Sequence, residues 1–285
     1  MTSVTGLLLN YRDAAQSILC IDSLLDNGAE HVVVWDNSDD AGGSARSIIK
    51  AFHGDARIDI RQSPANLGFA GGVNRAMDYC SGAYPATWIL LINNDARLSV
   101  DALSKLCSAL EENIKARISV PNIKQNGQVF GPGYCHRMTG LLSWVPKPGY
   151  FCYPSGCCML LAMDRLKRPL FDEDFFMYGE DWELGWRLLG SPGAWISVGA
   201  ALVEHEGAAS SGLGSPFYES HMTAAHLILA RKLAKNPADA FLLHAMRAGM
   251  LLMRACVRSW RLRSFVPLGA LWTGSRLAFG SRRRP

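Results

Sequence analysis

Residues 88–95 read Trp-Ile-Leu-Leu-Ile-Asn-Asn-Asp, five apolar residues that run directly into three residues with side-chain oxygens. A short apolar run of this kind is typical of a strand buried inside a sheet. Open α/β sheets bind ligands at the carboxyl ends of their strands, and three oxygen-bearing side chains suit a hard divalent cation. One carboxylate alone makes a weak metal site, so either a second ligand comes from elsewhere or Asn93-Asn94-Asp95 is only a polar strand end.

The residues before this stretch alternate between strand and helix patterns. Strands are predicted over 4–9, 32–35, 57–61 and 88–92, and helices over 14–25, 44–52 and 71–80. Strands alternating with helices predict a three-layer α/β/α sandwich with a mostly parallel sheet. Asp36 and Asp95 both fall at strand ends, and this coincidence is the first sign of a functional site.

The second half of the chain is less regular. Residues 121–155 are rich in Gly, Pro and aromatics, which predicts loops and short strands. A helix is predicted over 180–189, a strand over 195–198 and a Gly/Ser loop over 204–216. From residue 217 onward the pattern is helical, with breaks at Pro237 and Pro267.

The charge of this 285-residue chain is unevenly distributed. A hydrophobic content of 49% excludes intrinsic disorder, and the formal net charge is +4. Residues 240–285 contain nine Arg and no acid, which leaves residues 1–239 with a net charge of −5. Such a segment points to an anionic partner, and nucleic acid is a poor one because aromatics do not interleave with the basic residues. Helical spacing places Arg247, Arg254, Arg258 and Arg261 on one face, which predicts either an interfacial amphipathic helix or an ordinary packing helix.

Compartment signals are indirect. The eight cysteines are scattered, which favours packed thiols in a reducing cytoplasm over a disulfide framework. The N-terminus shows no basic region followed by an apolar run, so no signal peptide is expected.

Several further motifs carry possible chemistry. Asp36-Asn37-Ser38 could accept hydrogen bonds from a base or a ribose, or be an acid-rich turn. The glycines of residues 66–74 open a helix and would let a phosphate or ribose approach, although neither the dinucleotide fingerprint nor the P-loop is present. Residues 171–181 form the densest acid cluster of the chain and lie among aromatics, which suits a general base with a raised pKa. His205 follows a predicted strand and is a plausible second metal ligand or a structural histidine.

These motifs occur in a characteristic order: Leu9-Asn10-Tyr11, Asp36-Asn37-Ser38, Asn66-x-Gly68-Phe69-Ala70-x-Gly72-x-Asn74, Asn93-Asn94-Asp95, Phe171-Asp172-Glu173-x-Phe175-Phe176-Met177-Tyr178-x-Glu180-Asp181-x-x-Leu184-x-x-Arg187 and His205-x-Gly207. The succession resembles family 2 glycosyltransferases, and within them the bacterial rhamnosyltransferase-like branch. The resemblance covers about residues 3–215. Two departures are Asn93, where many relatives have Asp, and Glu183, where Asp is commoner.

The resemblance implies a GT-A fold, a nucleotide-sugar donor, a divalent cation (Mg²⁺ or Mn²⁺) and inversion at the anomeric carbon. It implies that Asp36 holds the nucleobase or ribose, that Asp95 binds the metal with help from His205, and that Asp181 is the base beside Glu180 in the acceptor pocket. The substrate contacts it implies are Asn10, Asp36, Asn66, Gly68, Phe69, Ala70, Asn74, Asn93, Asn94, Glu180, Trp182 and Arg187.

The sequence therefore predicts a GT-A domain over 1–215, with a donor half over about 1–120 and an acceptor half over about 121–215, followed by a basic helical segment over 216–285. The expected activity is transfer of a sugar, with rhamnose from dTDP-rhamnose as the leading candidate, to a saccharide or polyprenyl-linked acceptor in cell-envelope polysaccharide synthesis. The basic segment is expected to hold the enzyme on the cytoplasmic face of the plasma membrane. The alternatives are a sugar nucleotidyltransferase, which would carry G-x-G-x-R where Leu9–Asp13 stands, and a non-catalytic assembly subunit, which the intact acids disfavour.

Overall fold

The computed structural model describes residues 3–85, 88–205, 212 and 214–280. The first part of the chain alternates strands and helices as predicted. Its elements are β1 (Val4–Asn10), α1 (Ala14–Asp26), β2 (His31–Asp36), α2 (Gly43–Ala51), β3 (Ile58–Gln62), α3 (Gly68–Ala83), β4 (Trp88–Ile92), β5 (Ala96–Leu98) and α4 (Ala102–Glu112).

The second part contains more strands than the sequence analysis resolved, together with all of the C-terminal helices. Its elements are β6 (Ile118–Gln125), β7 (Gln128–Phe130), β8 (Gly133–His136), β9 (Leu142–Ser143), β10 (Tyr150–Tyr153), β11 (Cys158–Leu161), α5 (Glu180–Leu188), β12 (Trp195–His205), α6 (Pro216–Leu233), α7 (Pro237–Leu262) and α8 (Val266–Phe279).

Within the described ranges, the central sheet has nine strands in the order β3-β2-β1-β4-β11-β6-β12-β5, with β7 paired to β6, and a small sheet has the order β10-β8-β9. The strands β3, β2, β1 and β4 are parallel, as predicted, whereas β11 is antiparallel to both β4 and β6. Parallel neighbours need a long crossover, usually a helix. Only strands and turns connect β6 to β11, so β11 returns antiparallel and the sheet is mixed rather than mostly parallel.

Helices cover both faces of the central sheet. On one face Ile21 of α1, Ile48 of α2 and Leu106 of α4 are completely buried against the sheet. On the other face Val73 and Met77 of α3 are buried, together with residues of α5. The three-layer α/β/α class predicted from the sequence is therefore confirmed.

The strand β12 is longer than the predicted strand over 195–198. It pairs in parallel with β6 and antiparallel with β5, with an irregularity between Val198 and Leu202. Pairing with β5 carries the strand to His205, which the sequence analysis placed in a loop. The rest of that predicted loop, including Gly207, lies largely outside the described residues.

The C-terminal helices share a hydrophobic core with the acceptor half. Leu229 of α6 and Leu243 of α7 are buried with Phe151, Phe175 and Trp182. The predicted proline breaks are the starts of helices, since Pro237 and Pro267 occupy the first turns of α7 and α8. The helical segment is therefore not a separately packed unit.

The arginines of α7 share one helical face, as their spacing predicted, but most of that face packs against the body, as in the packing-helix alternative, instead of facing outward as in an interfacial helix. Arg247 is completely buried. Arg254 and Arg258 donate hydrogen bonds of 2.6 and 2.7 Å to the buried carboxylate of Glu219 on α6. A buried carboxylate needs charged partners, and this acid from another helix turns the arginines inward. Of the four arginines, only Arg261 is exposed.

Two glycines of α3 allow a test of how the sheet and the acceptor half are joined. Gly68 has a φ of 73°, and a Cβ there would lie 2.2 Å from the carbonyl oxygen of Phe176. We expect Gly68→Ala to lower the free energy of unfolding by at least about 1–2 kcal/mol, the cost of the left-handed conformation, with the backbone clash in addition.

Gly82, in the same helix, has nothing within 4 Å of the corresponding Cβ position. Gly82→Ala is the matched control and is expected to be neutral or to stabilise by about 0.5–1 kcal/mol. Urea denaturation of both variants provides the measurement. Equal stability of Gly68→Ala and wild type would contradict the close approach.

Candidate functional site

A cavity of about 500 Å³ opens at the carboxyl ends of β1 and β4 and is closed on its other side by the segment before α5. It brings together most of the residues singled out from the sequence, although they come from five separate parts of the chain. Those lining it are Asn10, Asn66, Gly68, Phe69, Asn93, Asn94, Asp95, Glu180, Asp181, Trp182 and His205.

Asp95 and His205 meet because two short strand ends lie side by side. The antiparallel register pairs His205 of β12 with Ala96 of β5, the residue after Asp95. The Nε2 atom of His205 lies 3.2 Å from Oδ1 of Asp95, and both side chains are mostly buried. The structure thus places the two candidate metal ligands next to each other.

The residues at this point fit a divalent cation. A carboxylate and an imidazole are both metal-binding donors, and Mg²⁺ or Mn²⁺ completes its coordination with water and substrate phosphate oxygens. The buried Oδ1 of the neighbouring Asn93 has no hydrogen-bond partner among the described residues. Within those residues no group of three or more His, Cys, Asp or Glu side chains could hold a metal alone, so a donor molecule would have to supply further ligands.

Asp36 does not line the cavity but lies directly behind the lining residue Asn10, and Asn37 beside it lines the cavity; both are buried. Asn10 donates a 2.8 Å hydrogen bond to Oδ1 of Asp36, and the backbone N–H of Ser38 donates to the same oxygen at 3.1 Å. The other oxygen, Oδ2, is buried without a partner in the described part of the chain, as is Oδ1 of Asn37. Orphaned buried acceptors cost free energy, and here they are available for a donor group of a ligand.

Asp181 and Glu180 enter the cavity from the first turn of α5. Tyr178 and Gly179 before them both have positive φ angles, of 66° and 87°. A Cβ on Gly179 would lie 3.0 Å from the ring of Phe175. This tight turn aims the first residues of the helix at the strand ends, which explains why glycine precedes the two acids.

The segment 155–157 connects the carboxylate of Asp181 to the predicted metal motif. The backbone N–H of Gly156 donates to Oδ2 of Asp181 at 3.3 Å, and the carbonyl oxygen of Cys157 accepts a 2.8 Å hydrogen bond from the N–H of Asn93. The two consecutive residues Gly156 and Cys157 therefore hold Asp181 and the Asn93–Asp95 stretch at a fixed spacing.

Burial raises the pKa of both carboxyl groups at the start of α5. Desolvation is the main cause for Asp181, whose pKa rises to about 6 although backbone N–H groups oppose the shift. Desolvation, followed by the adjacent charge of Asp181, raises the pKa of Glu180 to about 8. Near neutral pH burial and mutual repulsion therefore disfavour two negative charges on this pair, and the higher pKa of Glu180 favours placing the single charge on Asp181.

Three residues predicted to contact substrate lie away from the cavity. The side chain of Asn74 is hydrogen-bonded to the backbone of Phe171. Its Oδ1 accepts from the N–H of Phe171 at 3.2 Å, and its Nδ2 donates to the carbonyl oxygen of Phe171 at 2.9 Å. Arg187 pairs with Glu183 at 3.0 Å and donates to the carbonyl oxygen of Leu170 at 2.7 Å. Ala70 is completely buried in the core of the sandwich. Their roles are structural, because each packs the acid-rich segment or α3 in place.

Other lining residues were missed by the sequence analysis. Tyr11, Asn37, Ser155, Gly156, Met177 and Phe217 all line the cavity. Tyr11 and Asn37 stand inside motifs already recognised and could have been included. Phe217 begins a helix far along the chain, and its sequence surroundings give no sign of a binding role.

The mixed α/β sheet covered by helices on both faces has the GT-A fold of the glycosyltransferases whose solved structures are compared below. The chain belongs to glycosyl transferase family 2, whose family model matches residues 15–163, more than half of the chain. The matched region includes Asp36 and Asp95 and ends before Asp181 and His205. A comparison with curated proteins found no significant match.

Solved structures share the fold at low sequence identity. GalNAc-T7 with UDP, GalNAc and Mn²⁺ has a TM-score of 0.62 and 12% identity, covering 81% of this chain and 48% of its own. S. aureus TarS has a TM-score of 0.57 and 11% identity, covering 97% of this chain and 81% of its own. The mannosyltransferase PcManGT from Pyrobaculum calidifontis, in complex with GDP-Man and Mn²⁺, has a TM-score of 0.55 and 16% identity, covering 98% and 76%. This chain thus spans about half the length of the GalNAc-T7 chain.

The raised pKa of Glu180 predicts a pH-dependent stability difference. In the unfolded chain Glu180 would release its proton near the ordinary value of 4.5, whereas the folded protein retains it to about pH 8. Stability contributed by the protonated form is therefore lost as the pH rises from about 4.5 to about 8. Glutamine does not ionise, so Glu180→Gln does not lose this contribution as the pH rises. We therefore expect the melting temperature of Glu180→Gln to increase relative to that of wild type between about pH 4.5 and pH 8.

Thermal unfolding at pH 5, 6.5 and 8 would measure the difference. The matched control is Glu112→Gln, at an exposed position near the end of α4. A Glu180→Gln difference that does not change with pH would show that the carboxyl group is not buried as described.

Proposed function

We propose that this family 2 glycosyltransferase moves a sugar from a nucleotide-diphosphate donor to an acceptor hydroxyl with inversion at the anomeric carbon. The observation that carries the proposal is that the Asp95–His205 pair and the ionised carboxylate of Asp181 line one cavity. Direct displacement needs a base at the acceptor and charge neutralisation at the leaving group, and one cavity provides both.

The donor would lie along the carboxyl ends of the strands, with its base or ribose towards Asp36 and Asn37. The unpartnered oxygens of these two residues are acceptors for an imide N–H or a hydroxyl group. Asp95 and His205 would hold the divalent cation at the diphosphate. A cation bound there acts as a Lewis acid that stabilises the negative charge on the departing diphosphate.

The acceptor would enter beside α5 and the aromatic residues Phe176 and Phe217. Asp181 removes the proton of the acceptor hydroxyl as its oxygen forms the bond to the anomeric carbon and the bond to the diphosphate breaks. The protonated Glu180 adds no second charge, and hydrogen bonds from the backbone of Gly156 and Trp182 orient the carboxylate. One carboxylate suffices for this displacement, unlike the two required by a retaining glycosidase.

The finer assignment rests on the resemblance of the motifs to the rhamnosyltransferase-like branch. It gives rhamnose from dTDP-rhamnose as the first donor to test and a saccharide or polyprenyl-linked saccharide as the acceptor class. The same resemblance supports a role in cell-envelope polysaccharide synthesis, with the enzyme at the cytoplasmic face of the plasma membrane. The structures of GalNAc-T7 with UDP and PcManGT with GDP-Man make UDP- and GDP-sugars the next donors to test.

Asp181→Asn tests the base. Removal of a general base should lower turnover by about 10²–10⁴, while donor affinity should stay close to wild type because the side-chain volume is retained. In the wild type, kcat/KM should rise with pH through about 6, as Asp181 ionises.

The matched control is Asp164→Asn, at a carboxylate that is 63% exposed. Donor affinity and single-turnover transfer should both be measured for each variant. Wild-type turnover by Asp181→Asn would rule out the assigned base.

Asp95→Ala tests the cation site. We expect chelation with EDTA to abolish transfer and added Mg²⁺ or Mn²⁺ to restore it. The melting temperature should rise with dTDP-, UDP- or GDP-sugars only for the correct donor, because a bound ligand stabilises the folded state. With the cation present, the donor should no longer raise the melting temperature of Asp95→Ala. Without the cation, the donor should affect Asp95→Ala and wild type about equally. Full activity of the wild type in excess EDTA would contradict the metal requirement.

A further inference from the structure

The polarity of α7 is the reverse of that expected for a helix at a protein–water boundary. Every exposed residue from 241 to 260 is apolar or glycine, including Phe241, Met246, Met253 and Trp260. The three arginines of the same stretch, Arg247, Arg254 and Arg258, contact α6 instead. A solvated helix keeps its charges outside, so this outward face of α7 is suited to an apolar environment.

The outward face is long and broad. From Phe241 to Trp260 it extends about 29 Å at the rise of an α-helix. At about 100° per residue its exposed positions cover roughly half of the helix circumference. Viewed down the helix axis, Ala248 lies at one edge of this arc and Val257 at the other. Trp260 is 81% exposed, and Phe265 in the turn after the helix is 84% exposed. An apolar surface of this extent marks an interaction site.

The helix is long and apolar enough to cross a membrane by length and composition alone. Its inner face argues against a spanning position. Arg247 is completely buried in the protein, and Arg254 and Arg258 are hydrogen-bonded to Glu219. These contacts hold α7 lengthwise against the body, with only one side available to a partner.

We propose that the outward face of α7 docks the enzyme on an anionic lipid bilayer, lying parallel to the membrane plane. Charge complementarity selects this occupant. Residues 240–285 contain no acid, and among the described residues of this segment Arg261, Arg263 and Arg276 are exposed, whereas residues 1–239 have a net charge of −5. An acidic body is repelled by anionic headgroups, so attraction is confined to this segment, where exposed Arg261 and Arg263 follow Trp260. Arginine and tryptophan beside an apolar stripe are the residues that anchor interfacial helices.

A second copy of the chain fits this surface less well. Pairing of two helices requires only a narrow seam, which would leave much of the half-circumference exposed. It would also bring together two segments that contain arginine and no acid.

The position of the surface also suits a membrane-bound substrate. A second cavity, of about 330 Å³, lies between Phe176–Met177 and the end of α8 at Arg276 and Leu277. Phe176 and Met177 also line the candidate active site. Helices α6 and α8, against which α7 packs, therefore reach the side of the site formed by Phe176 and Met177, where a membrane-bound acceptor would enter.

Vesicle co-sedimentation of the full chain provides the test. Wild type should bind phosphatidylcholine vesicles that contain phosphatidylglycerol. The double variant Met253→Glu with Trp260→Glu should bind about 100-fold more weakly, because two acids replace apolar side chains at the buried depth. The matched control carries Val100→Glu and Ile114→Glu, at exposed apolar positions outside the helices, and should bind like wild type.

Two further measurements separate the components of binding. Arg261→Gln with Arg263→Gln should weaken binding to anionic vesicles by about tenfold or more, since each arginine near the surface contributes about 1 kcal/mol, and should leave binding to phosphatidylcholine unchanged. Of the eight cysteines, all within the described residues, Cys256 alone is exposed, and it lies on the outward face. An environment-sensitive fluorophore on Cys256 should shift to the blue when vesicles are added.

Equal binding by wild type and the double glutamate variant would overturn the proposal, as would no binding by wild type at low salt. A dimer seen by light scattering without lipid, and lost in the same variant, would assign the face to a second copy instead. Unchanged melting temperatures show that each variant is folded. Because none of these readouts requires turnover, the result is independent of the proposed glycosyl transfer.

Discussion

The candidate site depends on the docking of the acid-rich segment onto the start of α3. The N–H of Phe69 donates a 2.7 Å hydrogen bond to the carbonyl oxygen of Phe176, and Asn74 is hydrogen-bonded to the backbone of Phe171. The absence of a side chain on Gly68 permits this approach. Without it the carboxyl groups of α5 would not face the strand ends, and no single cavity would contain both halves of the site.

Burial has opposite consequences in two parts of the molecule. At the start of α5, desolvation without a cationic partner raises the pKa values of Glu180 and Asp181, which suits proton transfer. Between α6 and α7, the completely buried Glu219 has two arginine partners, and the result is an inter-helix tie. Breaking such a pair by removing one partner leaves an uncompensated charge. The same side-chain chemistry thus supports a reactive site in one place and a rigid attachment in the other.

The sequence was most informative where local pattern and tertiary environment agree. The strand that ends in Asn93-Asn94-Asp95 is buried on both faces, so its apolar run identified it directly. Residues 121–155 were less predictable, because their short strands are defined by pairing with distant partners rather than by periodicity. For a similar reason, the sequence could not distinguish whether Asn74 and Arg187 contact substrate or the protein itself. A polar residue inside a motif is the same residue type in both cases.

The sequence by itself determined the α/β class, the strand ends that contain Asp36 and Asp95, and the acid cluster before α5, since these follow from local apolar patterns and local residue types. Only the tertiary structure decided that His205 lies beside Asp95, because an antiparallel strand pairing joins residues more than a hundred positions apart. It also decided which side of α7 is exposed. Helical spacing defines the two faces of a helix, but the choice between them depends on a buried acid in another helix, Glu219, which draws the arginines inward and leaves the apolar residues outside.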